Sequence, residues 1–297
     1  MTATTTTTGI ATHREERPWR TMLRRLARHR SVQVGVIGVV GLITAAILAP
    51  VLTPYDPIEI DAKARLLSPN FDHPFGTDQL GRDVLTRVLY GARISIPMGL
   101  IPVVVGSVIG VTLGVIFGYF RRLDLLLMRF LDVALAFPAL VLALAVTAIL
   151  GGGLVNIMVA LGLAGIPYFA RMARGQVRQA RSNTYVEYAV GAGAGNRHII
   201  VTHLVQSLVA PILVMVTIGI GAAILAGSAL SFLGLGPPPP TPEWGVMLQE
   251  GRDFLRIAWW MSVFPGLAIV IVVVSFNLLG DGLRDVLDPR MRRELTN

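Results

Sequence analysis

Apolar runs longer than about 18 residues recur along this chain, and a run of that length is read as a membrane-spanning helix. The runs lie near 32–52, 94–120, 125–150, 154–170, 208–233 and 259–280. In lipid each must be helical, because every backbone N–H and C=O needs a partner inside its own segment. The fold expected is therefore all-α, a polytopic membrane protein with six transmembrane helices. Composition agrees. Only 15% of the 297 residues are charged, against about 25% in soluble domains. The fourth run is the shortest and is interrupted by glycine.

Several kinds of chemistry are excluded. The chain has no cysteine, so disulfides, thiol catalysis and cysteine-type zinc sites are out. The five histidines are scattered without His-Glu-x-x-His spacing, and no metal or cofactor is expected. The single lysine, Lys63, is not preceded by glycine, so no phosphate-binding loop of the P-loop type exists here. No Gly-x-Ser-x-Gly elbow occurs either. The chain is not expected to be an enzyme. The net charge of +8 is read as arginines flanking the spans rather than as a nucleic-acid surface.

Those arginines orient the chain. With the N-terminus inside, 19 of the 26 basic residues fall on the cytoplasmic side and seven outside. Both termini are therefore expected in the cytoplasm. The expected organisation has a polar tail and a basic interfacial helix over 1–31, with lipid headgroups as its contact. The first span covers 32–52 and is retained rather than cleaved as a signal. An outside loop follows at 53–93. A core of five spans occupies 94–281 and holds a cytoplasmic loop at 171–207. A tail at 282–297 carries Arg284, Asp285, Arg290, Arg292 and Arg293, either as an orientation signal or as a contact for a partner.

The 171–207 loop is too polar to span and too patterned to be a linker. Thr184-x-x-Glu187 fits a capping box. Ala189 and Gly193 are four apart, the spacing of one helix face. Gly195 can end that helix in a left-handed conformation, and Asn196 can cap the next. The pattern predicts two short helices meeting at a bend. A face of small residues beside Glu187 lets another backbone approach closely. The alternative is that Glu187 only caps its own helix and the glycines are loop.

Glu187-Tyr188-Ala189-x-x-x-Gly193 resembles the EAA loop of ATP-binding-cassette importer permeases. Tyr188 stands where alanine is usual, and Val205-Gln206 where the motif closes with Leu-Pro. Three further stretches are similar to the dipeptide and oligopeptide permeases, specifically their C-type subunit. They are Phe75-Gly-Thr-Asp-Gln-Leu-Gly-Arg-Asp83, Leu230-Ser-Phe-Leu-Gly-Leu-Gly-Pro and Asn277-Leu-Leu-Gly-Asp-Gly-Leu-Arg-Asp-Val-Leu-Asp-Pro-Arg290. The resemblance implies a type I importer permease fold and transport of peptides by alternating access. It implies a second permease subunit in a heterodimer, two ATPase subunits that burn the ATP, and an extracytoplasmic peptide-binding protein. Coupling to the ATPase would fall to Glu187, Tyr188, Ala189, Gly193, Asn196, Arg197 and His198. Related permeases share these motifs, so nickel chelates or another small solute are alternative cargo. An ion-driven carrier or a scaffold that transports nothing are the readings from other classes. Carriers usually show internal repeats and several intramembrane charges; this sequence has few such charges and no repeat.

Other residues carry weight. Arg129 and Asp132 sit inside the third run at a spacing that allows them to pair on one face, with a packing or a pore role open. Pro138 then marks a kink. Ser228 and Ser231 join them as pore or gate candidates. In the outside loop, Asp78, Arg82 and Asp83 are expected as surface pairs of about 0–1 kcal/mol each, tying the loop shut or meeting a substrate-delivering protein. Five prolines between Gly234 and Trp244 demand a stiff loop or a re-entrant turn at the outer face. Trp244, Trp259 and Trp260 suit the interfacial aromatic belt.

Overall fold

The computed structural model describes residues 26–287. The tail before residue 26, most of the basic interfacial helix, and Arg290, Arg292 and Arg293 lie outside them. The principal helices are α1 (Arg30–Ile47), α2 (Val84–Tyr119), α3 (Arg121–Leu135), α4 (Ala139–Leu150), α5 (Leu154–Arg181), α6 (Thr184–Gly191), α7 (Val205–Leu230), α8 (Trp244–Gly251) and α9 (Trp260–Leu287). Among the described residues five segments are long and apolar enough to cross a membrane: α1, α2, α5, α7 with its C-terminal extension, and α9. The expected third run is broken. Met128–Leu135 and Ala139–Leu150 meet at 91°, because Pro138 lacks an N–H and disfavours helix at the residue before it. Counted as one span, the pair brings the total to six.

Two expectations about extent change. The short fourth run becomes α5, 28 residues long, and carries the chain well past the expected start of the cytoplasmic loop at 171. Helix α2 begins at Val84, where Asp83 accepts hydrogen bonds from the Thr86 amide and hydroxyl, both at 2.7 Å. Arg87 and Arg93 hid this first part of α2 from a reading based on apolar runs. At 36 residues it is about 54 Å long, well over the ~30 Å of hydrocarbon, so it projects beyond the bilayer.

Helices α2 and α5 form the central pair. Gly106, Gly110 and Gly114 recur every fourth residue, so they line one face of α2. A β-carbon added at these positions would lie 2.8 Å from the Gly162 carbonyl oxygen, 2.7 Å from that of Ile166 and 2.4 Å from that of Ala170. Small residues at such spacing let two backbones touch in lipid, where apolar side chains gain nothing by leaving the bilayer. Helix α1 docks on α9 in the same way: a β-carbon on Gly38 would strike the Ser275 hydroxyl at 2.0 Å. Helix α7 packs between α2 and α9, with Ile220, Ile224, Val272 and Phe276 buried together. At the far end of the same bundle His29, just before α1, lies 3.4 Å from Asp285 of α9.

Candidate functional site

The first functional region is the turn that follows α5. Backbone amides of Val186 and Glu187 bond the Asn183 carbonyl at 2.9 and 3.3 Å. Asn183 therefore stands at the N-cap position, and the expected capping box at Thr184 is one residue out of register. Helix α6 ends with the Ala194 amide on the Ala189 carbonyl at 3.0 Å, and with Gly193 at φ +81°. This is the Schellman closure. It requires a left-handed residue at position 193, and glycine enters that region without steric cost. Gly193 thus lies beyond the helix and does not share a helical face with Ala189. Gly195 is not the left-handed residue; it is extended (φ −67°, ψ 149°) and caps the next helix in place of Asn196, which is its first residue.

This turn is fastened from beneath. Val186, Ile199 and Leu204 are buried with Val115 of α2 and with Ala173, Val177 and Ala180 of α5. The Tyr119 hydroxyl at the end of α2 donates to the Asn196 side chain at 2.7 Å. Arg181 donates to the Tyr119 carbonyl at 2.6 Å and places its guanidinium 4.9 Å over the Tyr119 ring. The chain then runs through a π-helical turn, Ile199–Leu204, into α7. On the opposite side Glu187, Tyr188, Gly193, Arg197 and His198 are exposed, and Ala189 is half-buried. A β-carbon at Gly191, Gly193 or Gly195 would meet nothing within 4 Å. The outward face is therefore low and unobstructed, while the inward face is locked to three helices.

Next to it, α3 is tied to α5 by charge. Asp124 is buried and accepts two hydrogen bonds from Arg174, one at 2.7 Å, with Arg178 at 3.6 Å. The Arg174 guanidinium holds the Asp124 carboxyl below the usual carboxylate range. Asp132 pairs with Arg171 of α5. The expected pairing of Asp132 with Arg129 does not form: α3 lies against α5, so Asp132 finds the arginine row there, and Arg129 is exposed.

The second region is a platform at the end of the bundle where α2 and α9 begin. Asp78, Arg82 and Arg87 are almost wholly buried. Arg82 reaches Asp78 at 2.6 Å and Glu250 of α8 at 3.1 Å; Arg87 reaches the same two carboxylates at 2.9 Å each. Asp83, besides capping α2, bonds His73 at 3.0 Å. The expected surface pairs are thus a buried network, where charges attract through a medium of low polarity and removal of one is costly. Glu243 is fully buried without a cation. It caps α8 through the amides of Gly245 and Val246, both at 2.9 Å, and accepts from the Ser95 hydroxyl at 3.0 Å. Burial pushes its carboxyl above the usual range, against the pull of those hydrogen bonds.

Tryptophans pin the platform. The Trp244 indole donates to the Val88 carbonyl at 2.9 Å and that of Trp260 to the Thr77 carbonyl at 3.0 Å; both side chains are buried. Of the expected interfacial belt only Trp259 is exposed. Ser228 and Ser231 lie buried beneath α8, where an added β-carbon on Gly245 would meet the Ser228 carbonyl at 2.3 Å. A cavity of about 300 Å³ opens instead at the α3–α4 bend, between α2, α5 and α7. Its walls are apolar, including Val103, Leu135, Phe137, Tyr168, Phe169 and Met215. Arg129, Asp132, Ser228 and Ser231 do not line it. Among the described residues no cluster of acidic and histidine side chains could hold a metal ion.

Arg87, Glu243 and Glu250 were missed in the sequence, although each is central to the platform. Glu250 is 163 positions from Arg87, so no local spacing joins them. The glycine row of α2 was visible at its four-residue repeat and went unread.

Residues 106–293 match the model of the binding-protein-dependent transport system inner membrane component. Residues 17–69 match that of the N-terminal TM domain of oligopeptide transport permease C. The chain is 43% identical over 276 residues to the dipeptide transport system permease protein DppC of Alkalihalophilus pseudofirmus, covering 93% of this chain and 91% of that one. It is 44% identical over 271 residues to a putative peptide transport system permease protein of Brucella abortus, covering 91% and 92%. It is 43% identical over 277 residues to the glutathione transport system permease protein GsiD of Escherichia coli, covering 93% and 91%. With a helical membrane-spanning bundle and matches of this extent, the chain belongs to the binding-protein-dependent transport system inner membrane components, the permease subunits of ATP-binding-cassette importers.

Proposed function

We propose that this chain forms one half of the pore of a peptide importer and pairs with a second permease subunit as a heterodimer. Two separate ATPase subunits dock on the turn around α6, and an extracytoplasmic binding protein delivers the peptide to the platform. The turn around α6 and both termini face the cytoplasm in this reading, which the excess of arginines on that side supports. The observation that carries this reading is the two-sided construction of the turn. Its outer face offers Glu187, Tyr188 and open glycines to a partner, while Val186, Ile199 and Leu204 fix its inner face to α2, α5 and α7. A push on α6 is thereby delivered to the helices around the apolar cavity. Peptide as cargo rests on the relatives, which are named for dipeptide, peptide and glutathione transport.

Co-purification tests the docking. Tagged protein, expressed with its partners and extracted in mild detergent, is expected to bring down a second permease and two ATPase chains. Glu187→Arg should release the ATPases and leave the permease pair intact. Retention of the ATPases by that variant would sink the assignment.

Gly193 provides a finer test. A β-branched residue is strained at a positive φ, whereas asparagine tolerates it. Gly193→Val should disturb the closure of α6 by about 1–2 kcal/mol and cut peptide-stimulated ATP hydrolysis severalfold. Gly193→Asn should keep most of it. Equal activity of the two variants would remove the Schellman geometry from the mechanism.

A further inference from the structure

Phe71 is the most conspicuous residue left unexplained. Its side chain is fully exposed, at 104% of the reference area, and it stands in a loop that is cross-braced almost residue by residue. At the tip, the Asn70 amide bonds the His73 carbonyl at 2.9 Å, and the Asn70 side-chain oxygen accepts from the amides of Asp72 and His73, each at 2.9 Å. On one flank the His73 ring stacks on Tyr55 at 4.8 Å, and the Tyr55 hydroxyl donates to the Asp72 carbonyl at 3.1 Å. At the base, Leu67 and Thr77 exchange hydrogen bonds at 2.8 and 3.0 Å. The Thr77 hydroxyl also donates to the Ala64 carbonyl.

This loop is also coupled to the membrane helices. Phe75 stacks on Phe264 of α9 at 3.8 Å, and Trp260 of α9 bonds Thr77. The buried cluster of Asp78, Arg82, Arg87 and Glu250 joins the loop to α2 and α8. A contact made at the tip is therefore made on a body continuous with three helices.

An aromatic ring held out in water by a braced loop is a poor arrangement for stability and a good one for binding. The ordering entropy has already been spent, and a large apolar surface waits to be covered. Aromatic side chains of this kind dominate binding energy at protein interfaces. The surroundings select the partner. Asp72 follows Phe71, and a hollow of about 310 Å³ beside His73 carries the exposed carboxylates of Asp56, Glu59 and Asp61 at its rim, with the buried Asp83 beneath. A carboxylate rim of this density is repelled by anionic headgroups, which argues for a protein rather than a lipid surface. It calls for an apolar recess edged with lysine or arginine.

We propose that Phe71 is the anchor by which the platform engages the extracytoplasmic binding protein, with the surrounding acids steering a basic rim on that protein into place. The proposal rests on the reading of the platform as the outer face. The buried charges below, which the sequence suggested as contacts, serve as the mount.

The test uses the complete transporter in proteoliposomes with its purified, peptide-loaded binding protein. Phe71→Asp should raise the binding-protein concentration giving half-maximal ATPase stimulation at least tenfold, with the basal rate and the saturated rate preserved. Phe71→Trp should stay near the parent. An unchanged half-saturation point for Phe71→Asp overturns the proposal, as does a loss confined to the saturated rate. Half-saturation that follows the anionic lipid content and ignores the substitution at Phe71 assigns the ring to the membrane and also overturns it. Because the chain has no cysteine, Phe71→Cys places a unique thiol at the tip. Labelling of spheroplasts by a membrane-impermeant maleimide is expected. Failure to label removes the outward orientation and the docking role together, whereas labelling with unchanged half-saturation removes the docking role alone.

Discussion

Arg87→Ala is expected to open the platform at the start of α2. The guanidinium holds Asp78 and Glu250 at 2.9 Å each, and its removal leaves two carboxylates facing one remaining arginine in a buried setting. Breaking a buried ion pair by deleting one partner costs about 3–5 kcal/mol, because the stranded charge cannot regain water. The Asp78 loop and α8 are then no longer joined through this residue. In detergent the midpoint of thermal unfolding should fall by on the order of 10 °C. Limited proteolysis should cut within 61–80 in the variant and spare that segment in the parent. Arg87→Lys keeps the charge but cannot reach both carboxylates with a planar fork, so its loss should be intermediate. An exposed carboxylate gives the contrast: Asp56→Ala should shift the midpoint by less than about 1 kcal/mol in equivalent stability. Equal stability of Arg87→Ala and the parent would show that the cluster holds nothing together.

The second large effect is expected in the α2–α5 pair. At Gly114 an added β-carbon would sit 2.4 Å from the Ala170 carbonyl oxygen and 2.8 Å from the Ala173 β-carbon. Backbone on both sides leaves no flexible side chain to yield. Overpacking in a core costs typically about 1–3 kcal/mol. Gly114→Leu has to exceed that, since the helices themselves must part. Lipid then fills the gap without penalty, because the bilayer gives apolar side chains no reason to return. The expected result is loss of the folded subunit from size-exclusion profiles and loss of the proposed second permease on purification. Gly118→Ala should be milder, its nearest neighbours being 3.2 Å away, and Gly175→Ala, with nothing within 4 Å, should be silent. A folded, paired Gly114→Leu would mean that the close approach of α2 and α5 is dispensable.

The sequence made the helical class and most spans legible because hydrocarbon imposes a length and a composition on whatever crosses it. It made the turn around α6 legible as a pair of short helices, since glycine, asparagine and carboxylate positions are local signals. What failed was finer register. Asn183 rather than Thr184 starts α6, and Gly193 rather than Gly195 ends it, because several residues of suitable chemistry stand side by side and tertiary packing of Val186 and Ile199 chooses among them. The platform was illegible for a different reason. Arg87 and Glu250 are partners only once α8 folds back on α2, and charged residues in a short extramembrane loop read as solvated until that fold is known. Trp244 and Trp260 were misassigned on the same ground: their indole N–H groups find buried carbonyls rather than headgroups.

The bend at Pro138 has a consequence for the bilayer itself. Helix α4 has 12 residues, about 18 Å of rise at 1.5 Å per residue, while the hydrocarbon layer is about 30 Å thick. Helix α3 turns away at 91° and does not make up the difference. Beside this bend the annular lipids face a wall too short for them, so the leaflet on the side of α3 has to thin, or a neighbouring protein has to cover the step. The subunit is thus matched to a membrane of uneven local thickness, and acyl-chain length becomes a variable to which its motion at the bend is exposed.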